Sequence, residues 1–401
     1  MKNGIGKWRG LAGPALRAAF LLCVAGTGGA VAEAPATPYE IDVILSETGS
    51  ISFLGRAEEE VLKIEESVLN QAGGVHGRPV RFVFHDDQSN PQVALQAMRQ
   101  AMARQPKVVL GSDLVSTCNA MAPLTRNGPV LYCLSPGIHP EKGSYVFSSS
   151  VSTLDLFRAT LTYYRLRGWT RIAILTSTDA SGQDAERGLQ EELARPENKA
   201  LQLVAAERFN PSDVSADAQI QRMKSANPQA IVTWTSGTPL GTVFRAITDA
   251  SWDVPVGISE SNMLYTQMKQ YAGITPKQLY IATADWLPST HADLPQAVRD
   301  QKARMFAAFE KAGLLPDEAA GLAWDLALIS VAALDAVPED APPAQVRDHI
   351  AGLQGFAGTT GLYDFPAIPQ RGIGVEGVVM TLWDPKANNW TVVSHPTGTP
   401  F

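Results

Sequence analysis

From Tyr39 onward, short apolar runs alternate with stretches whose apolar residues recur every three or four positions. The runs at 41–45, 80–85, 108–110, 130–134 and 146–149 are each of strand length and end at Gly, Ser, Asp or Pro. Between them lie helical patterns. The first follows the loop 46–55 and carries Val61, Leu62, Ile64, Val68 and Leu69 before Gly73-Gly74 ends it. A second starts after Asp86-Asp87-Gln88-Ser89-Asn90-Pro91, with Pro91 near its first position, and a third spans 152–166. The pattern restarts at Arg171, with strands expected at 171–176, 201–209, 230–234, 254–258 and 279–282, and helices to about 194 and near 215–225, 240–250 and 263–271. Helical stretches at 295–312 and 316–337 follow. The tail differs: a strand at 361–365, then two runs at 378–383 and 390–393 around a polar turn, as in an antiparallel hairpin. Alternating strands and helices predict α/β architecture with doubly wound parallel sheets, and the number of strands and the restart predict two lobes.

The stretch 108–140 organises this pattern. Val108-Val109-Leu110 reads as a buried parallel strand closed by Gly111, and Ser112, Asp113, Ser116 and Thr117 are candidate caps for a helix running to about Arg126. Asn127-Gly128-Pro129 ends that helix, and after the strand at 130–134 the chain turns again at Ser135-Pro136-Gly137. Both loops leave the carboxyl ends of neighbouring parallel strands, where open α/β sheets bind ligands. Free backbone N–H groups at that edge suit a carboxylate. Phe53, Trp234 and Trp286 lie near strand ends and are candidate walls, although aromatic residues fill cores everywhere.

Composition narrows the classes. With 401 residues and 45% hydrophobic content the chain can build two cores. Residues 1–32 read as a signal peptide: Lys2, Lys7, Arg9 and Arg17, an apolar run at 18–25 too short to span a membrane, and Ala30-Val31-Ala32 as the cleavage site. Leu22-Cys23 lacks the small residue a lipoprotein site needs before its Cys. Removing the segment with its four basic residues takes the formal charge from −7 to −11, a poor match to nucleic acid or an anionic membrane. Cys118 and Cys133 then remain, in an oxidising compartment and at one edge of the first sheet, so they are either a disulfide or two buried thiols. The six His residues show no metal-site spacing, and no nucleophile elbow, phosphate loop or dinucleotide fingerprint is present.

Taken together, the order and spacing of several pieces resemble the type I periplasmic solute-binding proteins of ABC transporters, the branched-chain amino acid (Leu/Ile/Val)-binding family. The pieces are T-G-S-I-S-F-L-G at 48–55, N-Q-A-G-G-V-H-G-R-P at 70–79, D-D-Q-S-N-P at 86–91, Gly111, A-M-A-P at 120–123, Ser135-Pro136, D-A-S-G-Q-D at 179–184, S-G-T-P at 236–239 and G-L-Y-D-F at 361–365. The likeness runs over about 40–393. It implies two lobes of the periplasmic binding protein-like I fold joined by three crossovers, near 148–152, 283–287 and 355–362. Lobe 1 would hold 39–150 plus 287–356 and lobe 2 would hold 151–286 plus 357–401, with the ligand between them.

The resemblance also implies site residues. The ligand carboxylate falls to the backbone around Val115-Ser116 and to Ser135, Gly137 and His139, with Phe53 and Leu54 as wall. Thr238 lies in the matching second-lobe loop beyond Trp234. Three positions depart from the family pattern: Val115 stands where a serine is usual, His139 where a small hydroxyl is common, and Ser181 where a tyrosine precedes the glycine. The acidic residue that holds an amino acid's ammonium falls on Ser259, with Glu260 next to it; Asp285 and Trp286 near the second crossover are further candidates. These changes widen the ligand class to a branched-chain or other hydrophobic amino acid or a small carboxylate, aromatic acids included. The function implied is capture for a membrane permease in the periplasm, by a monomer with no cofactor, metal, nucleic-acid partner or catalysis. The alternative is a ligand-sensing receptor component of the same fold acting on a regulator.

Overall fold

The computed structural model describes residues 37–288 and 294–401, so the expected signal peptide at 1–32 lies outside the described residues. Five parallel strands form the first sheet, in the order β2-β1-β3-β4-β5: β1 (Tyr39–Leu45), β2 (Val80–Asp86), β3 (Val108–Leu110), β4 (Val130–Cys133) and β5 (Val146–Ser148). β3 and β4 are buried along their whole length, as their unbroken apolar sequences require. The helices α1 (Ser52–Gln71), α2 (Pro91–Met102) and α3 (Val115–Met121) connect these strands.

The chain then crosses into a second sheet ordered β14-β13-β10-β9-β8-β6-β7. Its parallel part is β6 (Arg171–Ser177), β7 (Gln202–Phe209), β8 (Ala230–Trp234), β9 (Val256–Ile258) and β10 (Leu279–Ala284). The expected terminal hairpin, β13 (Val378–Asp384) and β14 (Asn389–Val392), adds antiparallel to its β10 edge. The helices α4 (Thr153–Leu166), α5 (Ala180–Leu193), α6 (Asp217–Ser225), α7 (Pro239–Asp249) and α8 (Tyr265–Gln270) go with this sheet. After β10 the chain returns to the first sheet with α9 (Gln296–Ala312), α10 (Glu318–Ala336) and α11 (Pro343–Gly352), α9 and α10 packing on α1. α10 is buried on nearly every side, which explains its almost uninterrupted apolar sequence.

The third crossing comes later than expected. Strands β11 (Gln354–Ala357) and β12 (Leu362–Asp364) pair with each other. Asp325 of α10 accepts hydrogen bonds from the N–H and hydroxyl of both Thr359 and Thr360, and from the Tyr363 hydroxyl. Phe365 packs edge-on against Phe147 of β5, and the Ser148 N–H donates to the Gln370 carbonyl at 2.9 Å. The chain therefore stays against the first sheet to Arg371 and enters the second only at Val378.

The two halves repeat one local device. Where β1 passes into α1, Gly55 sits so close to Ser46 that a Cβ would lie 2.2 Å from its carbonyl oxygen; where β6 passes into α5, Gly182 stands 1.8 Å by the same measure from that of Ser177. Only glycine lets each helix start directly over the end of its strand. Both sheets thereby present loops and helix starts at their carboxyl edges.

Candidate functional site

The loops at these two edges meet over a narrow cavity. It is lined from the first side by Ile51, Leu54, Asp113, Leu114, Val115, Leu134, Ser135, Pro136 and Leu322, and from the second by Ser181, Trp234, Ser236, Ser259, Glu260 and Ser261. Its volume is about 20 Å³, room for about one water, so the halves are closed on each other. Contacts between them include the Thr238 N–H donating to the Ser50 carbonyl at 3.0 Å, His139 Nε2 lying 2.6 Å from Asp184 Oδ1, and the Glu318 N–H donating to the Met263 carbonyl at 3.3 Å.

On the first side, Asp87 gathers the strand ends. Its carboxylate accepts from the hydroxyls of Ser46 and Ser112 and from the Ser89 N–H. This holds the loop after β3 so that Asp113 faces the cavity. Burial pushes the Asp113 carboxyl up to about 6, opposed by a hydrogen bond with Glu58. Glu58, on α1 behind it, is held well above the carboxylate range by burial and by the Asp113 charge. Besides Glu58, Asp113 takes a hydrogen bond from the Ser46 backbone, which also holds its carboxyl down.

On the second side, Trp234 stacks on Phe157 with ring centroids 4.9 Å apart, and its Nε1–H donates to Ser181 Oγ at 3.3 Å. The Ser259 hydroxyl donates to the Thr235 carbonyl at 2.7 Å, so it is occupied within its own loop. Glu260 is 1% exposed, and neither of its oxygens has a hydrogen-bond partner among the described residues. Burial, then the neighbouring Glu318, holds its carboxyl well above the usual range. Glu318 begins α10; its Oε2 accepts from Thr283 Oγ1 at 2.6 Å and Trp286 Nε1 at 2.9 Å, and burial pushes it up to about 8.

The cavity thus gathers Leu54, Val115, Ser135, Ser181, Trp234, Ser259 and Glu260 of the expected residues, and leaves out the others. Phe53 turns one helical position away from Leu54 and lines an outer groove with Tyr265 and Leu315. Ser116 lies one residue into α3, beyond the lining Val115. Gly137 packs beside Val115 and Asp184. His139 binds Asp184, whose carboxyl burial would raise; the hydrogen bond from His139 and the Arg187 charge outweigh burial and hold it below the ordinary range. Thr238 makes the Ser50 contact, Asp285 pairs with Lys302 at 3.3 Å, and Trp286 is buried under α10 holding Glu318.

Sequence reasoning missed Asp113 as more than a cap, and it missed Glu58, Glu318 and Arg371. The Arg371 guanidinium is buried and donates to Ser148 Oγ at 2.8 Å, to the Ser150 carbonyl at 2.6 Å, to the Pro136 carbonyl at 2.9 Å and to the Ile138 carbonyl. It pins the first crossover to the loop after β4. Cys118 and Cys133 are paired, with Cα atoms 6.3 Å apart, and tie α3 to β4 under that same loop.

A family model described as a periplasmic binding protein matches residues 38–381. No curated protein matches the chain by sequence. Among solved structures, an extracellular ligand-binding receptor from Rhodopseudomonas palustris HaA2 superposes with a TM-score of 0.77 at 18% identity, covering 89% of this chain and 99% of that one. The branched-chain amino acid transporter substrate-binding protein of Streptococcus pneumoniae, solved with isoleucine, gives 0.73 at 18% identity over 89% and 99%. An ABC transporter solute-binding protein from R. palustris, solved with benzoate, gives 0.74 at 18% identity over 91% and 98%. At such identities the likeness is one of fold, whereas the family match covers most of the chain: it belongs to the type I periplasmic binding proteins.

Proposed function

We propose that the chain is the periplasmic substrate-capturing component of an ABC importer, delivered by the signal peptide at 1–32. It encloses a small amine-bearing solute between the two halves and presents the closed form to a membrane permease. The halves would move as lobes about the crossings near 148–152 and 283–287 and the later one between Arg371 and Val378. The observation that carries this reading is Glu260: a fully buried carboxyl with both oxygens unpartnered, on the wall of the cavity between the sheets. Leaving such a group unpaired is costly, and an ammonium group supplies the missing donors and charge. A hydrophobic amino acid is therefore the first class to test, and a bare aromatic carboxylate is disfavoured. Trp234, Leu54 and Val115 supply the apolar wall and Ser135, whose hydroxyl is also unpartnered, a polar one. The test is a thermal-shift panel of leucine, isoleucine, valine, phenylalanine and benzoate. A solute at ~100 times its Kd adds about 2.7 kcal/mol to stability. With roughly 360 folded residues at ~2.1 cal/mol/K each, that is a rise of about 3 to 4 °C. The expected result is a shift with amine-bearing solutes that Glu260→Gln removes. A shift with benzoate alone, unchanged in Glu260→Gln, overturns the reading.

A further inference from the structure

Glu260 has a second carboxyl behind it, supplied by the opposite half. Glu260 opens a short turn at 260–262, and α10 packs on that turn. The Glu318 N–H donates to the Met263 carbonyl at 3.3 Å, which fastens the first residue of α10 to the end of the turn. The Glu318 side chain is fully buried. Its Oε2 accepts from Thr283 Oγ1 and Trp286 Nε1, at the second crossover, and its Oε1 has no hydrogen-bond partner among the described residues. Neither oxygen of Glu260 has one either. The other charged groups around the pair leave it short of positive charge. Asp317 stands next to Glu318 on α10 and pushes its carboxyl further up. Asp113, with Glu58 behind it, faces the cavity from the other wall, and Asp285 is paired with Lys302. The buried Arg371 guanidinium does pull Glu260 down, but burial and the Glu318 charge outweigh it. Its own N–H groups go to Ser148, Ser150, Pro136 and Ile138. Two carboxyls so placed cannot both ionise cheaply, so the pair keeps a proton while no cation is bound.

We propose that solute capture exchanges a cation for a proton, with Glu318 as the positioning residue: the guest's ammonium settles on Glu260, and one proton leaves the Glu260–Glu318 pair for solvent. One positive charge enters as one departs, so the buried site keeps its charge balance. Glu318 does not line the cavity; it acts through Glu260. The free protein thus binds a proton that the complex lacks, and affinity rises with pH. This rests on the amine reading of Glu260 and deepens it.

The test is titration calorimetry on the full chain at pH 7 with leucine, isoleucine, valine, phenylalanine and benzoate, each in phosphate and in Tris. The two buffers take up a proton with different heats, so a released proton is read as a difference between them. The expected result is release of about half a proton or more per bound amino acid, and an affinity that rises about tenfold or more from pH 6 to pH 8. Glu318→Gln keeps an oxygen for Thr283 and Trp286 but removes the second charge. It should cut the release by about half or more and flatten the pH profile. A thermal melt checks that the variant folds, and the wild-type proton count stands without it. No release in the wild type, or the same release in Glu318→Gln, overturns the proposal and leaves the amine reading intact. Binding of benzoate alone, or of none of the amino acids, overturns both.

Discussion

Gly237 separates closure from folding. It lies between β8 and α7 with φ +75°, and a Cβ there would lie 2.1 Å from the Ser50 carbonyl oxygen of the opposite half. Within its own half the loop is held by Asn262, which accepts from the Gly237 N–H at 3.0 Å, and by Gln267, which donates to its carbonyl at 3.0 Å. Gly237→Ala therefore has two effects. The left-handed backbone costs about 1–2 kcal/mol for an L-residue in any state of the cleft. The overlap with Ser50 exists only in the closed state, and relieving it parts the halves and breaks the hydrogen bond from Thr238 to Ser50, about 1 kcal/mol. With the packing lost around it, the closed state should be disfavoured by roughly 1.5–3 kcal/mol, a tenfold to hundredfold loss of affinity for whichever solute the thermal-shift panel identifies. Gly313 is the control: it has φ +74° and nothing within 4 Å of its would-be Cβ. Both alanine variants should melt about 1–3 °C lower, but only Gly237→Ala should bind weakly in calorimetry. Equal loss of affinity in both variants, or full affinity in Gly237→Ala, refutes the argument that Ser50 and Gly237 meet only on closure.

Other consequences follow from the same contacts. Arg371→Met leaves four buried acceptors short of a donor and should lower stability by about 3–5 kcal/mol, some 4–6 °C in a thermal melt; an unchanged melt refutes its pinning role. Burial raises Asp113 to about 6 and Glu318 to about 8. Since these folded-state values exceed the unfolded ones near 4, their stabilisation is full below about pH 4 and is lost as pH rises through 6 to 8. The ligand-free protein should thus melt higher at pH 5 than at pH 8.5, and the opposite trend in calorimetric scans would refute the protonated cleft. Reduction of the Cys118–Cys133 pair, with a sequence separation of 15, should cost about 3 kcal/mol and lower the melt by about 4 °C; a melt unaffected by reductant would mean two free thiols.

What the chain shows on its face is what local periodicity encodes. The strands at the centre of each sheet, the long helices and the terminal hairpin are visible because each buries a continuous face. α11 was missed because only Val346 and Ile350 of its ten residues are buried, too thin a stripe to stand out. The late third crossing was missed for a different reason: Asp325 with Thr359 and Thr360, and Arg371 with Ser148, are polar contacts between positions far apart in sequence, and no local pattern announces them.

The same distinction governs the site. Positions carried by strand ends and helix starts, Leu54, Ser135, Ser181, Trp234 and Glu260, do reach one cavity, because the repeated strand-to-helix device puts both sheets' loops at one edge. Positions next to them do not, since a single step along a helix rotates Phe53 about 100° away from Leu54. The charge of the cavity was hidden for a third reason. Asp113 reads as a helix cap and Glu318 as a first-turn acid, both common solvated roles. Only the tertiary structure buries them and sets each beside another carboxyl, with the buried Arg371 guanidinium near enough to Glu260 to pull its carboxyl down. A family likeness leads to the expectation that an amino acid's carboxylate binds on the first wall. On that wall Asp113 finds its donors inside the protein, in Glu58 and the Ser46 backbone, so a buried carboxyl there does not by itself turn a guest carboxylate away.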